Sequence, residues 1–151
     1  MTTETLDVID VLNDLLAWEA RNLLPHLRDS TVFLSWASAD ERRSVERMID
    51  ESLAHQARLV DTLTDLGATP LPATPDIHAA ELHFLDLRFA LRRVAARLKE
   101  LVAAYEAAAG QVAGNKRASE TVSEIAAAKR RHLDLVTRFV DRAHGNNAPA
   151  A

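Results

Sequence analysis

Two stretches of the sequence carry a polar residue followed three positions later by a histidine. Ser52 is followed three positions later by His55, and Lys129 is followed in the same way by His132, so that 77 residues separate each matching position. Side chains three residues apart lie on one face of an α-helix. Histidine is both a common metal ligand and a hydrogen-bonding group. The repeat therefore predicts one polar site to which two helices contribute.

A carboxylate on another stretch is placed to complete this site. At 100° per residue, Glu19 lies in the middle of an apolar stripe that includes Leu12, Leu16 and Leu23, and Lys129 lies at the centre of its own stripe. Burial disfavours the charged form of lysine, so a buried lysine requires a partner. We therefore predict a Glu19–Lys129 ion pair in the core. The alternative is that Lys129 extends its stem to the surface.

The stretch that contains His55 has two polar residues near the centre of its apolar stripe. Ser52 and Gln56 are expected to complete the hydrogen bonds of a buried polar site made of Glu19, Ser52, Gln56 and Lys129. His55 and His132 lie at the edges of their stripes. Histidines at such edges are either ligands or hydrogen-bonded boundary residues, and the sequence leaves both readings open.

The glycines and prolines divide the chain into the elements that must position these residues. Eight of the nine fall in three short stretches, 67–75, 110–114 and 145–149, and the sequence between them is rich in strong helix formers. Helices are predicted over about 5–28, 38–66, 75–109 and 116–143. Ser38 and Glu41 form a capping box at the second start, and Pro75 suits a first helical turn. Pro25 is expected to kink or end the first helix near residues 26–28.

Four helices of this length predict an all-α four-helix bundle. Residues 1–145 are expected to form one domain, and residues 146–151 a disordered tail. Residues 67–75 reach only about 27 Å when extended, which is short for a connection that runs the length of the bundle. The topology therefore stays open at this point.

Composition and charge exclude several classes of function. The chain has 151 residues, a net charge of -4, 48% hydrophobic residues and no cysteine. It can hold no disulfide, thiolate zinc site or iron–sulfur cluster. An acidic balance argues against nucleic-acid binding. With no 18-residue uncharged run and no basic, apolar leader, we expect no membrane span, no secretory signal and a cytoplasmic location.

The inward-facing residues resemble those of the ferritin-like superfamily, which includes bacterioferritins and rubrerythrins. Its members place a Glu on helix one, Glu-x-x-His on helices two and four, and an acid on helix three. Glu19, His55 and His132 match the helix-one carboxylate and the two histidines, and Asp86 is the chosen match for the helix-three acid. The resemblance covers residues 5–143 and implies a ferritin-like four-helix bundle.

The departures from that pattern bear most on function. Ser52 and Lys129 stand where the family has its two bridging glutamates. Two hard cations that share a site need roughly four carboxylates, and here one bridging ligand is a hydroxyl and the other a cation. Glu51 and Glu124 are near in sequence, but the helical wheels place both on outer faces.

The sequence therefore predicts a ferritin-like bundle with a degenerate di-metal site and a non-catalytic interaction or scaffold role. The partner would be a second copy of the chain or another protein. The alternative is a metalloprotein that keeps a single Fe, Mn or Zn on Glu19, His55 and either His132 or Asp86, with oxidase or metal-handling activity.

Overall fold

A computed structural model of the chain describes residues 1–29, 38–76, 79–80, 82 and 87–145. Within these ranges the chain is all-α and contains no strand. Its four long helices are α1 (Thr3–Ala20), α2 (Ala39–Asp65), α3 (Leu87–Gln111) and α4 (Lys116–Gly145), and a 3₁₀-helix, Leu24–Asp29, lies between α1 and α2. None of the described helices combines the length and the apolar character that crossing a membrane requires. The predicted tail, 146–151, lies outside the described residues.

The four helices pack in a ring that places α1 and α4 on a diagonal. Helix α1 packs against α2 and α3, and α4 packs against the same two helices. Their apolar stripes meet in one core, with leucines such as Leu12, Leu59 and Leu98 fully buried. Side chains that point inward from α1 and α4 must therefore cross the centre of the bundle to meet.

The connection from α2 to α3 runs the length of the bundle beside α1. It begins at Gly67, whose positive φ of 83° ends α2 and which lies against Met1. The Leu71 N–H then donates to Asn13 Oδ1 at 2.9 Å, and Pro75 and Glu19 line the same cavity. Since the α3–α4 turn at 112–115 is at the α1 N-terminal end, with Gly114 against Glu4, the connection from α2 to α3 crosses the length of the bundle.

Helix α1 ends earlier than the predicted boundary at residue 28. Its last α-helical residue is Ala20, and the chain continues through a turn into the 3₁₀-helix that contains Pro25. The Asn22 side-chain oxygen accepts the N–H of Leu24 at 3.1 Å, which replaces the helical hydrogen bond at this point. The residue before a proline also disfavours α-helix. The break therefore begins upstream of Pro25.

Helix α3 begins at Leu87 rather than at the predicted residue 75. Asp76, which falls inside the predicted third helix, lies outside α3 and forms an ion pair with Arg97 of that helix, and its side chain is only 6% exposed. The longer connection supplies the reach that residues 67–75 lack. By contrast, the predicted start of α2 is confirmed, because Ser38 Oγ accepts the N–H of Glu41 at 3.3 Å.

Candidate functional site

Four polar side chains, one from each helix, lie at the centre of the bundle. They are Glu19 on α1, Ser52 on α2, Tyr105 on α3 and Lys129 on α4, and each is at most 1% exposed. Glu19 and Lys129 are the only two of the four that carry a formal charge. We call this group the central cluster. Its members lie on core-facing stripes, so the packing that buries the leucines also buries these polar groups.

The predicted ion pair between Glu19 and Lys129 is confirmed. Lys129 Nζ lies 3.0 Å from Glu19 Oε2, and both side chains are fully buried. The same ammonium donates to Ser52 Oγ at 3.3 Å. Because α1 and α4 are diagonal, this pair spans the bundle core, and Lys129 does not extend to solvent.

Tyr105 completes the carboxylate's environment, and it was missed in the sequence. Its hydroxyl donates to Glu19 Oε1 at 2.6 Å, so each oxygen of Glu19 faces one buried donor. The signal was present, since Leu91, Leu98 and Tyr105 follow one another at intervals of seven on the α3 stripe. The predicted helix-three acid, Asp86, lies outside the described residues.

Asn22 takes the hydrogen-bonding position expected for Gln56. Asn22 is 1% exposed, and its Nδ2 lies 3.5 Å from Ser52 Oγ. Gln56 is only partly buried, and its side chain makes no hydrogen bond to any described residue. It lines a cavity that Glu19 also lines. The break in the chain after α1 explains this arrangement, since it turns Asn22 inward.

The two predicted histidines meet on one side of the central cluster, between α2 and α4. The rings of His55 and His132 stack with centroids 5.9 Å apart. His132 Nε2 donates to Glu51 Oε2 at 2.7 Å. Glu51 keeps the exposed position that the helical wheel predicts, with its side chain 40% exposed, but its carboxylate reaches inward to the buried ring.

Burial and neighbouring charges set the protonation of these groups. Burial lowers the pKa of Lys129, and the adjacent Glu19 and Glu51 carboxylates oppose that shift. Burial and the Glu19 charge raise the pKa of Tyr105, which keeps its proton on the phenol. Burial also lowers the pKa of His55 to about 3, reinforced by the Lys129 ammonium.

The pKa of His132 is lowered as well. Burial lowers its pKa, although the hydrogen bond to Glu51 opposes the shift. The Nδ1 atoms of His55 and His132 are buried and have no hydrogen-bond partner among the described residues. Both imidazoles are therefore neutral in the folded protein at pH 7.

The protein is expected to lose stability as the pH falls from about 6.5 towards 3. In that window the unfolded chain binds protons at both histidines while the folded protein keeps His55 neutral, so acid favours unfolding. The urea midpoint should therefore fall with pH, and His55→Asn should flatten this dependence. For each protein, the urea midpoint is expressed relative to its value at pH 8. If the midpoint of His55→Asn falls with pH as steeply as that of the wild-type protein, the lowered pKa assigned to His55 is contradicted.

The donor set of the central cluster does not fit a di-metal centre. Helix α4 contributes an ammonium and α2 a hydroxyl to the cluster, and Lys129 Nζ lies against its one carboxylate, Glu19. Nowhere in the described ranges do three His, Cys, Asp or Glu side chains converge as a group able to hold a metal ion. Glu19, His55 and His132 therefore do not form a shared ligand set in this conformation.

Comparison with known proteins identifies the fold. No protein-family model matches the sequence, and no curated relative matches it either. Among solved structures, the chain is similar to the crystal structure of "ferritin like, diiron-carboxylate proteins" from Bacillus anthracis strain Ames, with a TM-score of 0.73 and 19% identity. The match covers 93% of this chain and 99% of that one. The chain thus has the ferritin-like four-helix-bundle fold.

Proposed function

We propose that this protein is a metal-independent ferritin-like bundle, in which the Lys129 ammonium takes the place that metal ions hold in di-iron relatives. The observation that carries the proposal is the contact of Lys129 Nζ with Glu19 Oε2 at 3.0 Å inside a fully buried cluster. Ser52, at the other bridging position, accepts from the same ammonium.

The charge balance of the site supports this proposal. The Glu19 carboxylate and the Lys129 ammonium neutralise each other, and Tyr105 remains a neutral donor. A divalent ion that entered the cluster would meet one carboxylate, Glu19, that is already paired. It would also meet the Lys129 ammonium, which lies 3.0 Å from that carboxylate. Since roughly four carboxylates accompany two metals in such bundles, the entering charge would remain uncompensated.

The role we propose is binding or scaffolding rather than oxidation. In this proposal the Glu19–Lys129 pair specifies which helices face each other, a role that does not require it to add net stability. If the Lys129 ammonium aligns the helices without a metal ion, the outer helix faces are available to bind a second copy of the chain or another protein. We propose such a partner-binding role for the outer faces.

The second candidate is a single-metal protein, favoured by the unpartnered Nδ1 atoms of His55 and His132. The diiron-carboxylate description of the similar Bacillus anthracis structure points the same way. A metal on Glu19, His55 and His132 requires Lys129 to leave the carboxylate. The two candidates therefore differ in a measurable quantity, the metal content of the folded chain.

Protein purified from medium supplemented with iron, manganese and zinc is expected to hold well under two metal ions per chain. Added ferrous iron should give no stoichiometric ferroxidase burst, because the bridging carboxylates are missing. Elemental analysis and oxygen consumption measure both quantities. Two tightly held irons per chain would contradict the proposal, and one would favour the second candidate.

A further inference from the structure

Helix α1 carries acidic side chains that the rest of the described chain does not neutralise. Asp7, Asp10 and Asp14 are exposed, and none of the three forms an ion pair with any described residue. Exposed charges between α2 and α4 are instead joined within the chain, as in the Arg58–Glu124 pair. We call the three aspartates the acidic stripe. Its charge is available to a partner that carries basic groups.

The first two turns of α3 carry the opposite charge around an exposed aromatic ring. Phe89 is 47% exposed, and the guanidinium carbons of Arg88 and Arg92 lie 5.3 and 6.0 Å from the centre of its ring. Arg93 is exposed as well. The first turn of α3 contains no acid, although the helix dipole favours one there. We call Phe89, Arg92 and Arg93 the basic end, and aromatic and arginine side chains are enriched in protein interfaces.

The acidic stripe and the basic end lie on one side of the bundle, near its opposite ends. On α1, Asn13 lies at the edge that the connection from α2 to α3 covers, and Asp7 and Asp14 are rotated by about 100° or more from it, towards α3. On α3, Arg93 lines a cavity with Leu23, the residue that follows α1 closely. Because the α3–α4 turn is at the α1 N-terminal end, the first turns of α3 lie at the far end of this side.

This layout is self-complementary under a two-fold rotation. A two-fold axis that lies in this side, midway between the two patches and perpendicular to the line joining them, brings a second copy face to face with the first and exchanges the patches. The acidic stripe of each copy then lies against the basic end of the other, and two equivalent contacts form together. Trp18, four residues after Asp14 on the same edge of α1, lies between the patches with the Arg21 guanidinium 4.9 Å from its ring.

The size of this side sets the strength of such an association. Helix α1 has 18 residues, and a side about 27 Å long and two helices wide has roughly 500 Å² per copy. Two copies would bury about 1,000 Å² in total, which is near the lower limit of specific interfaces. The expected complex is therefore weak, reversible and sensitive to salt.

We propose that the side formed by α1 and α3 is a homodimer interface, in which the acidic stripe of each copy binds the basic end of the other. The proposal rests on the partner-binding role proposed above and deepens it, since it names the surface and makes the partner a second copy of the chain. Charge complementarity between the two patches carries it, with Phe89 as the apolar contact.

Sedimentation equilibrium of the full-length protein between about 5 and 500 μM, a range suited to a weak interface, measures the dimer. Raising sodium chloride from about 0.05 to 0.5 M should raise the dissociation constant about tenfold, because salt screens exposed ion pairs. Asp7→Arg with Asp14→Arg should raise it at least about a hundredfold, because four ion pairs of the dimer become repulsive. The control, Glu46→Arg with Asp61→Arg, makes the same change of net charge at exposed positions of α2 and should dimerise as the wild-type protein does.

A charge-swap experiment tests the pairing itself. Arg92→Glu with Arg93→Glu should also be monomeric, but an equal mixture with Asp7→Arg, Asp14→Arg should form a heterodimer, since both contacts then join opposite charges. Phe89→Ser, at an exposed position, should weaken the wild-type dimer about tenfold and serves if the arginine variant fails to fold. A wild-type monomer at every concentration, a dimer that Asp7→Arg with Asp14→Arg retains, or no heterodimer in a mixture of folded variants would overturn the proposal.

Elemental analysis of the same samples separates this proposal from the metal-independent role. A metal-free wild-type monomer would overturn the dimer and leave metal independence standing. A dimer that holds tightly bound metal would support the interface and contradict metal independence.

Discussion

Replacing Lys129 by methionine is expected to lower the free energy of unfolding by about 3–5 kcal/mol. The change leaves the Glu19 carboxylate buried with Tyr105 as its one remaining donor. Glu19→Met should cost a similar amount, because it leaves an ammonium in the core. The double variant should recover most of the loss, since two apolar side chains of similar volume then fill the space. Part of the loss persists because the Tyr105 hydroxyl loses its acceptor.

Urea unfolding at pH 7 of the four proteins in this double-mutant cycle gives the coupling energy directly. The matched control is the Arg130–Glu106 pair, whose arginine is next to Lys129 in the sequence. Arg130 Nε of α4 lies 3.2 Å from Glu106 Oε1 of α3, and both side chains are about half exposed. Its cycle should give no more than about 1 kcal/mol. Additive losses below about 1 kcal/mol at Glu19 and Lys129 would reject the buried pair.

Restoring both missing carboxylates should create metal affinity. Ser52→Glu with Lys129→Glu places three glutamates at the centre beside His55 and His132, and removes the cation that competes for Glu19. Divalent manganese or iron should then raise the thermal midpoint of the double variant, because ligands that bind only the folded state stabilise it. Lys129→Glu alone should destabilise the metal-free protein, since Glu19 would face a like charge.

A second double variant separates this effect from net charge. Ser123→Glu with Lys116→Glu makes the same change of charge at two exposed positions of α4, and should acquire no metal-dependent shift. If Ser52→Glu with Lys129→Glu gains no affinity over this control, the helices of this bundle do not hold the three carboxylates in a metal-binding geometry.

The Glu19–Lys129 pair could be predicted from the sequence because both residues lie on regular helices. On a regular helix, periodicity determines which side chains face the core. Glu19 and Lys129 each interrupt an apolar stripe at its centre, and that pattern predicts that they meet in the core. The 77-residue repeat likewise brought His55 and His132 together. In both cases, regular helices carry the side chains, so spacing translates directly into position.

The contacts that were missed depend on features that periodicity does not encode. Asn22 turns inward only because α1 stops at Ala20, where side-chain and proline effects compete with helix. Glu51 is on an outer edge by its wheel position, yet its flexible stem lets the carboxylate reach His132. Asp76, inside the predicted third helix, lies outside α3 and pairs with Arg97 of that helix, a tertiary contact between distant positions.

The most direct test is an experimental structure of the wild-type protein crystallised with excess manganese, with anomalous data collected at the manganese edge. We expect Lys129 Nζ within hydrogen-bonding distance of Glu19 and Ser52, and no anomalous peak among these side chains. A peak coordinated by Glu19, His55 and His132, with Lys129 turned away from the carboxylate, would contradict the metal-independent role.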